Sequence, residues 1–509
     1  MPRVKSVKSL SKTCMDFILH DREYFCNGKI NMDLVDSEEI LSSPFDCLPT
    51  VLLEELVKIF RENEINKNPR KLNNNESFKL FATHHLRTLD LRHWGGNSNV
   101  LKLAALKSPH IEKLMLGYYC NRKYPGEFFS YIPKFSKLKS LDISLFGVGD
   151  DCLQLIGIYC PDLRELYAQN HDVSDDGIRS LCVTGNCKSI RLLILEGSIV
   201  TIKGIQLALT NLPELQILYH ASVLDCLAEI AQSALNDKLD MPQYSLSALY
   251  IIENAIYKSQ SLNLSVLLCP KVTKIHFVTW GKLTDADLLS LISLKNLKNL
   301  DIHYRRFVEP TVIDAGLTFN GSIAPLIKTL GNSLKRLSLK GSLVNVDILT
   351  IIESCPNLQS LALTVSSFRW TWSNIEEKQI KHQPVMKKLA ILELYGLVNE
   401  EILLALLSSP SLAQVRLFNC STLSDKILHE ASRRHSFRNL ENFQLFYCSS
   451  ITKIGIDILF RDSNPIKEIH LKYCQNITDE DLIDWKKTLI EKKNWDVKIS
   501  STSFTDLWV

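Results

Sequence analysis

The 509-residue sequence lacks the short motifs by which catalytic and cofactor sites announce themselves. It contains no Gly-x-x-x-x-Gly-Lys-Ser/Thr, no Gly-x-Gly-x-x-Gly, no Gly-x-Ser-x-Gly and no His-Glu-x-x-His. Phosphate-cradling, dinucleotide-binding, serine-nucleophile and zinc-protease chemistries therefore have no footing in it. Its 14 cysteines are scattered without a Cys-x-x-Cys, and its 13 histidines include no His-x-x-x-His. This argues against a zinc site or a disulfide framework and for reduced thiols used as small core residues in cytosol or nucleus. The adjacent His84 and His85 have no third group at a supporting spacing and read as loop or surface residues. Charge of one sign is lacking too: 59 Lys and Arg stand against 56 Asp and Glu, a formal net charge of +3. A balance so close to neutral gives no reason to expect nucleic acid or an anionic membrane as partner. No run of eighteen apolar residues occurs, and the basic start Met1 to Lys8 leads into a segment interrupted by Lys12 and Asp16. Neither a membrane span nor a signal peptide is expected, so the chain reads as intracellular, cytoplasmic or nuclear or both, without catalysis, cofactor or metal.

What is present is a repeat. With 45% hydrophobic and 23% charged residues the composition is that of a folded chain, and 509 residues exceed what one compact core absorbs. A head of the form Leu-x-x-Leu-x-Leu, seen in Leu86-x-x-Leu89-x-Leu91 and Leu358-x-x-Leu361-x-Leu363, returns through Ile466-x-x-Ile469-x-Leu471. There are fifteen such heads, spaced on average by about 27 residues, which is the leucine-rich-repeat period. Each head is a short strand with its aliphatic residues inward. The following half is helical, as in the segments 150–158 and 283–292, with Ser174 and Thr284 placed to cap their helices. No such unit buries its faces alone, so the units stack with strands lining a concave side. The fold class expected is α/β: a leucine-rich-repeat solenoid with convex helices, preceded by a small N-terminal helical module. The boundaries read 1–62 for that module, 63–85 for a linker and cap, 86–494 for the solenoid and 495–509 for a C-terminal cap. A surface loop is expected over residues 61–75, where asparagines cluster around Pro69.

The N-terminal module carries two helical stretches. In Ser9-Leu10-Ser11-Lys12-Thr13-Cys14-Met15-Asp16-Phe17-Ile18, Leu10, Cys14 and Ile18 recur every four residues and make an apolar stripe. In the stretch from Cys47 to Phe60, Pro49 sits near the first turn, and Leu48, Leu52, Leu56 and Phe60 (or Ile59) are expected to share a face. The pair resembles the bipartite module of ubiquitin-ligase receptors that recruit elongin B/C and a cullin. Ser9, Leu10, Cys14 and Ile18 match every fixed position of that family's elongin box, and Leu48, Pro49 and Leu52 match its cullin-2 box, while Val51 departs from the cullin-5 form. With the repeats, the combination is most similar to the Zyg-eleven and Zer-one family of cullin-2 receptors, over residues 9 to about 500. That family continues into armadillo repeats that read N-terminal glycine degrons; no such repeats follow here, and that specificity is not carried over. The resemblance implies elongin C and B as partners at Leu10, Cys14, Phe17 and Ile18, and cullin-2 at Leu48, Pro49, Leu52 and Leu56. It also implies a scaffold that holds an unidentified protein substrate beside a ubiquitin-loaded enzyme. Two other readings stay open: an F-box receptor, because Leu-Pro-x-x-Leu-Leu-Glu-Glu-Leu also begins an F-box, and a non-ligase scaffold whose N-terminal helices merely cap the first repeat.

A substrate surface is expected between the inward residues of the central strands. Leu192, Ile194, Ile217, Tyr219, Tyr250, Ile252, His276 and Val278 stand there, and Tyr219, Tyr250, Ile252 and His276 are its candidate contacts. Insertions at 307–333 and 366–388, the latter with Phe368, Trp370 and Trp372, either cover this surface or act as binding loops.

Overall fold

A computed structural model describes residues 10–20, 43, 45–67, 78, 81–92, 98–116, 129–144, 147–253, 260–304, 317–341, 343, 346–364, 386–396, 398–435, 437–460, 465–491 and 497–502. The fifteen heads become strands, and one more follows. They are β1 (Thr88–Asp90), β2 (Lys113–Met115), β3 (Ser140–Asp142), β4 (Glu165–Tyr167), β5 (Leu192–Ile194), β6 (Ile217–Tyr219), β7 (Ala248–Ile252) and β8 (Lys274–Thr279). Then come β9 (Asn299–Tyr304), β10 (Arg336–Gly341), β11 (Ser360–Thr364), β12 (Ile391–Tyr395), β13 (Gln414–Phe418), β14 (Asn442–Phe446), β15 (Glu468–Lys472) and β16 (Lys498–Thr502). They form one sheet in sequence order, each strand parallel to the last, as a chain of helical crossovers requires. The head residues go inward: Leu89, Leu141, Leu193, Leu300, Leu361 and Ile469 are all buried. By compactness the chain divides at Ala248 and Leu249 into two units.

Neighbouring repeats are latched through their helix starts. Ser174 caps the helix Asp175–Cys182 by accepting from the Asp176 amide, and its own amide donates to Asp150 of the previous repeat at 2.8 Å. The same arrangement joins Thr201 to Asp175, Thr318 to Asp285 and Thr452 to Asp425, with amide-to-carboxylate distances of 2.7, 2.8 and 2.9 Å. In each case the threonine or serine hydroxyl also donates to that carboxylate. The incoming carboxylate needs room, and the residue three past the cap is glycine. A Cβ on Gly177 would stand 2.2 Å from Asp150 Oδ1, and one on Gly455 2.3 Å from Asp425 Oδ1. In two repeats whose previous helix does not begin with aspartate, the residue three past the cap supplies the carboxylate itself. Thr284 with Asp287 and Thr478 with Asp481 form such reciprocal pairs.

Of the twelve described cysteines, all expected as core thiols, ten are buried, whereas Cys14 and Cys47 are exposed. Cys160, Cys187, Cys269, Cys355 and Cys448 are buried, and burial pushes each thiol up to about 12. Several point their sulfur at a carbonyl one repeat back, as Cys187 does to Cys160 O at 3.0 Å. In the insertion 307–333, residues 317–330 are Thr318, which caps a π-turn at Phe319–Ile323, and then the helix Ala324–Leu330, so this part is the repeat's own helical half. The three aromatic residues of the second insertion, and Cys26, Cys120 and Trp495, lie outside the described residues.

Two helices with described bounds precede the repeats. The first, α1, spans Leu10–His20, and the second, α2, spans Thr50–Lys67. The loop expected over 61–75 is helix through Lys67, and residues 68–75 lie outside the described residues. Arg61, Glu62, Glu64 and Lys67 are good helix formers, and they outweigh Asn63 and Asn66.

Candidate protein-interaction site

In α1, Met15 is the buried residue, and Ile18 and Leu19 are half-buried. Cys14 is exposed and Phe17 is 62% exposed. At 100° per residue, Ile18 and Leu19 flank Met15, while Phe17 points to the opposite side and Cys14 lies at the edge. The expected elongin-binding residues are therefore split: Cys14 and Phe17 open, Ile18 partly covered. The side chain of Leu10 lies outside the described residues.

The chain enters α2 through a tight turn. The Leu48 amide donates to Phe45 O at 3.0 Å, and the Pro49 carbonyl accepts from the amides of Leu52 and Leu53, both at 3.0 Å. Pro49 is thus the residue before the first helical one, where its missing N–H leaves no gap in the ladder. Val51 is 75% exposed, Leu52 36% exposed and Pro49 exposed, whereas Leu48 is half-buried. The single shared face expected from Leu48 to Phe60 does not exist. Leu56 is 1% exposed and, with Leu53 and Phe60, turns into the chain. A strict four-residue step drifts by about 40° each time, so Leu52 and Phe60 cannot lie on one line; the stripe that closes is Leu53, Leu56 and Phe60, at i, i+3 and i+7. Its cover comes from the segment before β1. The Phe81 ring lies 5.1 Å from Phe60 and stacks on Phe45 at 5.8 Å, and Phe78 and Ala82 are buried. Arg61 of α2 pairs with Asp90 of β1, which also holds Arg92. Burial and the neighbouring Arg92 lower the Arg61 pKa. Leu56, expected to meet a cullin, thus belongs to the joint between α2 and the first repeat.

On the strand face each unit has its own set of half-exposed residues. In the first, Leu192 and Ile194 of β5 face Ile217 and Tyr219 of β6 in register, and the Tyr219 hydroxyl donates to Glu196 at 3.4 Å. In the second, the rings of Tyr250 and His276 lie 6.2 Å apart, with Ile252 also half-buried. His276 Nδ1 meets Asp301 Oδ2 at 2.9 Å. Burial pushes the Asp301 carboxyl up, but the hydrogen bond from His276 acts the other way and leaves it below its usual range, with Lys340 helping. A further cluster escaped the sequence reading. Tyr395, Phe418 and Phe446, the last residues of β12, β13 and β14, stack at 6.0 and 4.4 Å, and Lys472 of β15 places its ammonium 5.9 Å from the Phe446 ring. The signal was available: all four are the fifth residue of equally registered strands. The sequence reading took this position in β7 and β8, as Ile252 and Val278, but aromatic residues 23 and 28 positions apart meet only once the strand register is known.

No family model matches the chain, and no curated protein matches it. Among solved structures, the crystal structure of the Rad7 and Elc1 complex in yeast is similar at 15% identity and a TM-score of 0.45, covering 97% of this chain and 98% of that one. An internalin from Listeria monocytogenes is similar at 15% identity and a TM-score of 0.35, covering 76% of this chain and 87% of that one. Scores of this size carry no argument about function. What sixteen parallel strands in sequence order, alternating with helices at the leucine-rich-repeat spacing, establish is the fold: an α/β leucine-rich-repeat solenoid.

Proposed function

We propose that this chain is the substrate-recognition subunit of a cullin-2, elongin B/C ubiquitin ligase. In this reading α1 binds elongin C, the turn at Leu48 and Pro49 with Leu52 meets cullin-2, and the strand face holds a target protein. The chain acts without catalytic residues, in cytoplasm, nucleus or both, by raising the effective concentration of the target's lysines near a ubiquitin-loaded enzyme. The observation that supports it most is the outward face of α1. A helix that keeps Phe17 62% exposed beside an exposed Cys14 leaves apolar area in water, which an external groove would remove. Elongin B/C capture tests it: the full chain retains the complex, and Cys14→Phe with Phe17→Asp releases it while the thermal midpoint stays put. Failure of the wild-type chain to bind elongin B/C overturns the proposal.

The burial of Leu53, Leu56 and Phe60 favours a second reading for α2, that of a cap on the first repeat in a non-ligase scaffold. Cullin-2 binding that requires Leu52 but tolerates conservative change at Leu56 separates the two. Copurification with a Skp adaptor in place of elongin would instead support the F-box assignment.

A further inference from the structure

Between the helices Ile202–Asn211 and Val223–Asn236 and the segment that leads on to β7 lies a groove of about 360 Å³. Its apolar side is made by Ile202, Ile230, Ala234 and Pro242, with Leu239 on the lip. That lip is preformed. Lys238 takes a left-handed conformation, φ 53°, the Leu239 amide donates to Ala234 O at 2.9 Å, and the Lys238 amide donates to Leu235 O at 3.3 Å. This pair of hydrogen bonds is a helix-ending motif in which the residue in the Leu239 position ordinarily folds back on the last turn. Here Leu239 stays 66% exposed. The rest of the rim is acidic: Glu229, Asp237 and Asp240 line the groove, and none of its lining residues is Lys, Arg or His. Cys226, also in the lining, is pushed up to about 12 by burial, so it remains a neutral thiol and no nucleophile.

We infer that this groove is a docking site for a short protein segment in which aliphatic side chains are flanked by lysine or arginine. An apolar floor with an exposed leucine lip takes the aliphatic residues, and the three lining carboxylates, which outnumber the single nearby Lys238 of the lip, select basic flanks over acidic ones. The inference is independent of the ligase reading, because the groove and α1 share no residue.

The test uses the full chain and three fluorescein-labelled peptides: Gly-Lys-Arg-Leu-Leu-Lys-Arg-Gly, its acidic counterpart Gly-Glu-Asp-Leu-Leu-Glu-Asp-Gly, and Gly-Lys-Arg-Ser-Ser-Lys-Arg-Gly. Fluorescence anisotropy should show the first binding at least tenfold more tightly than either other. Leu239→Ser, and separately Glu229→Lys with Asp240→Lys, should each weaken it about tenfold, and added salt should weaken it further. The three substituted positions, Glu229, Leu239 and Asp240, are all at the groove surface, so unchanged thermal midpoints are expected for the variants. Equal binding of both basic peptides, binding insensitive to the variants, or no binding overturns the inference. So does a concentration-dependent dimer that Leu239→Ser dissolves, which would make a second copy of the chain the occupant.

Discussion

The two N-terminal helices, α1 and α2, each carry apolar residues at helical spacing and meet opposite fates. α2 folds Leu53, Leu56 and Phe60 against Phe45 and Phe81 and ties Arg61 to Asp90, so it is built into the end of the repeat array. α1 buries Met15 and leaves Cys14 and Phe17 open. The difference teaches that a matched motif and an available surface are separate facts. Of the two boxes read from the sequence, the elongin-like one keeps two neighbouring open residues, Cys14 and Phe17, on the side away from Met15. The cullin-like one keeps only its first turn, at Pro49 and Leu52.

The comparison is broken most forcefully at Leu56. Leu56→Ala should cost about 2–5 kcal/mol, through lost transfer energy and the cavity left, read as a large drop in thermal midpoint or a sharp gain in protease sensitivity near α2. A midpoint within a degree of wild type would mean α2 does not belong to the core. Next, and no larger for any single thiol, is an alkaline effect. A thiol whose pKa rises from 9.0 to about 12 on folding keeps its proton in the native state while the unfolded chain loses it. The stability these thiols contribute is complete below pH 9 and falls as pH rises from 9 towards 12, by about 1.4 kcal/mol per pH unit for each such group. Denaturation midpoints measured from pH 8 to 10.5 should fall accordingly, and replacing Cys355 with Ala should flatten the decline.

Smaller effects are expected at the latches. Asp425→Ala removes the acceptor of the Thr452 amide and hydroxyl and should cost about 1–3 kcal/mol. Gly455→Ala drives a Cβ onto the same carboxylate, and the double variant Asp425→Ala/Gly455→Ala should be less harmful than the sum of the two. Strict additivity in that cycle would mean glycine is there for another reason. The smallest change is expected from Phe17→Ser, within about 0.5 kcal/mol of wild type because the side chain is already in water. Its thiol neighbour sharpens the contrast: in the native chain iodoacetamide should label exposed Cys14 and Cys47 and spare buried Cys160, Cys187 and Cys448, and elongin B/C should protect Cys14.

Much of the array was legible because stacking makes every repeat answer the same constraints. The inward head residues, the caps at Ser174 and Thr284 and the cysteine positions all follow from one period, so one misread unit is corrected by the others. The rule linking an aspartate at one helix start to a glycine three past the next cap was also written there, in Asp150 with Gly177 and Asp425 with Gly455, but its meaning needs the distance between repeats. The face of α2 was misjudged because an isolated helix has no neighbouring unit to fix its rotation. The stack of Tyr395, Phe418 and Phe446 was missed because aromatic residues 23 and 28 positions apart meet only once the strand register is known.

By itself the sequence determined the period, the inward leucines and the way each helix begins, since these depend on spacings within one repeat and between adjacent ones. Only the tertiary structure decided which apolar surface stays in water: Phe17 and Leu239 open, Leu56 and Phe60 closed. The physical reason is that hydrophobic burial has no direction of its own. An apolar side chain is satisfied equally by its own chain or by another, and which one is nearest is a property of the folded arrangement.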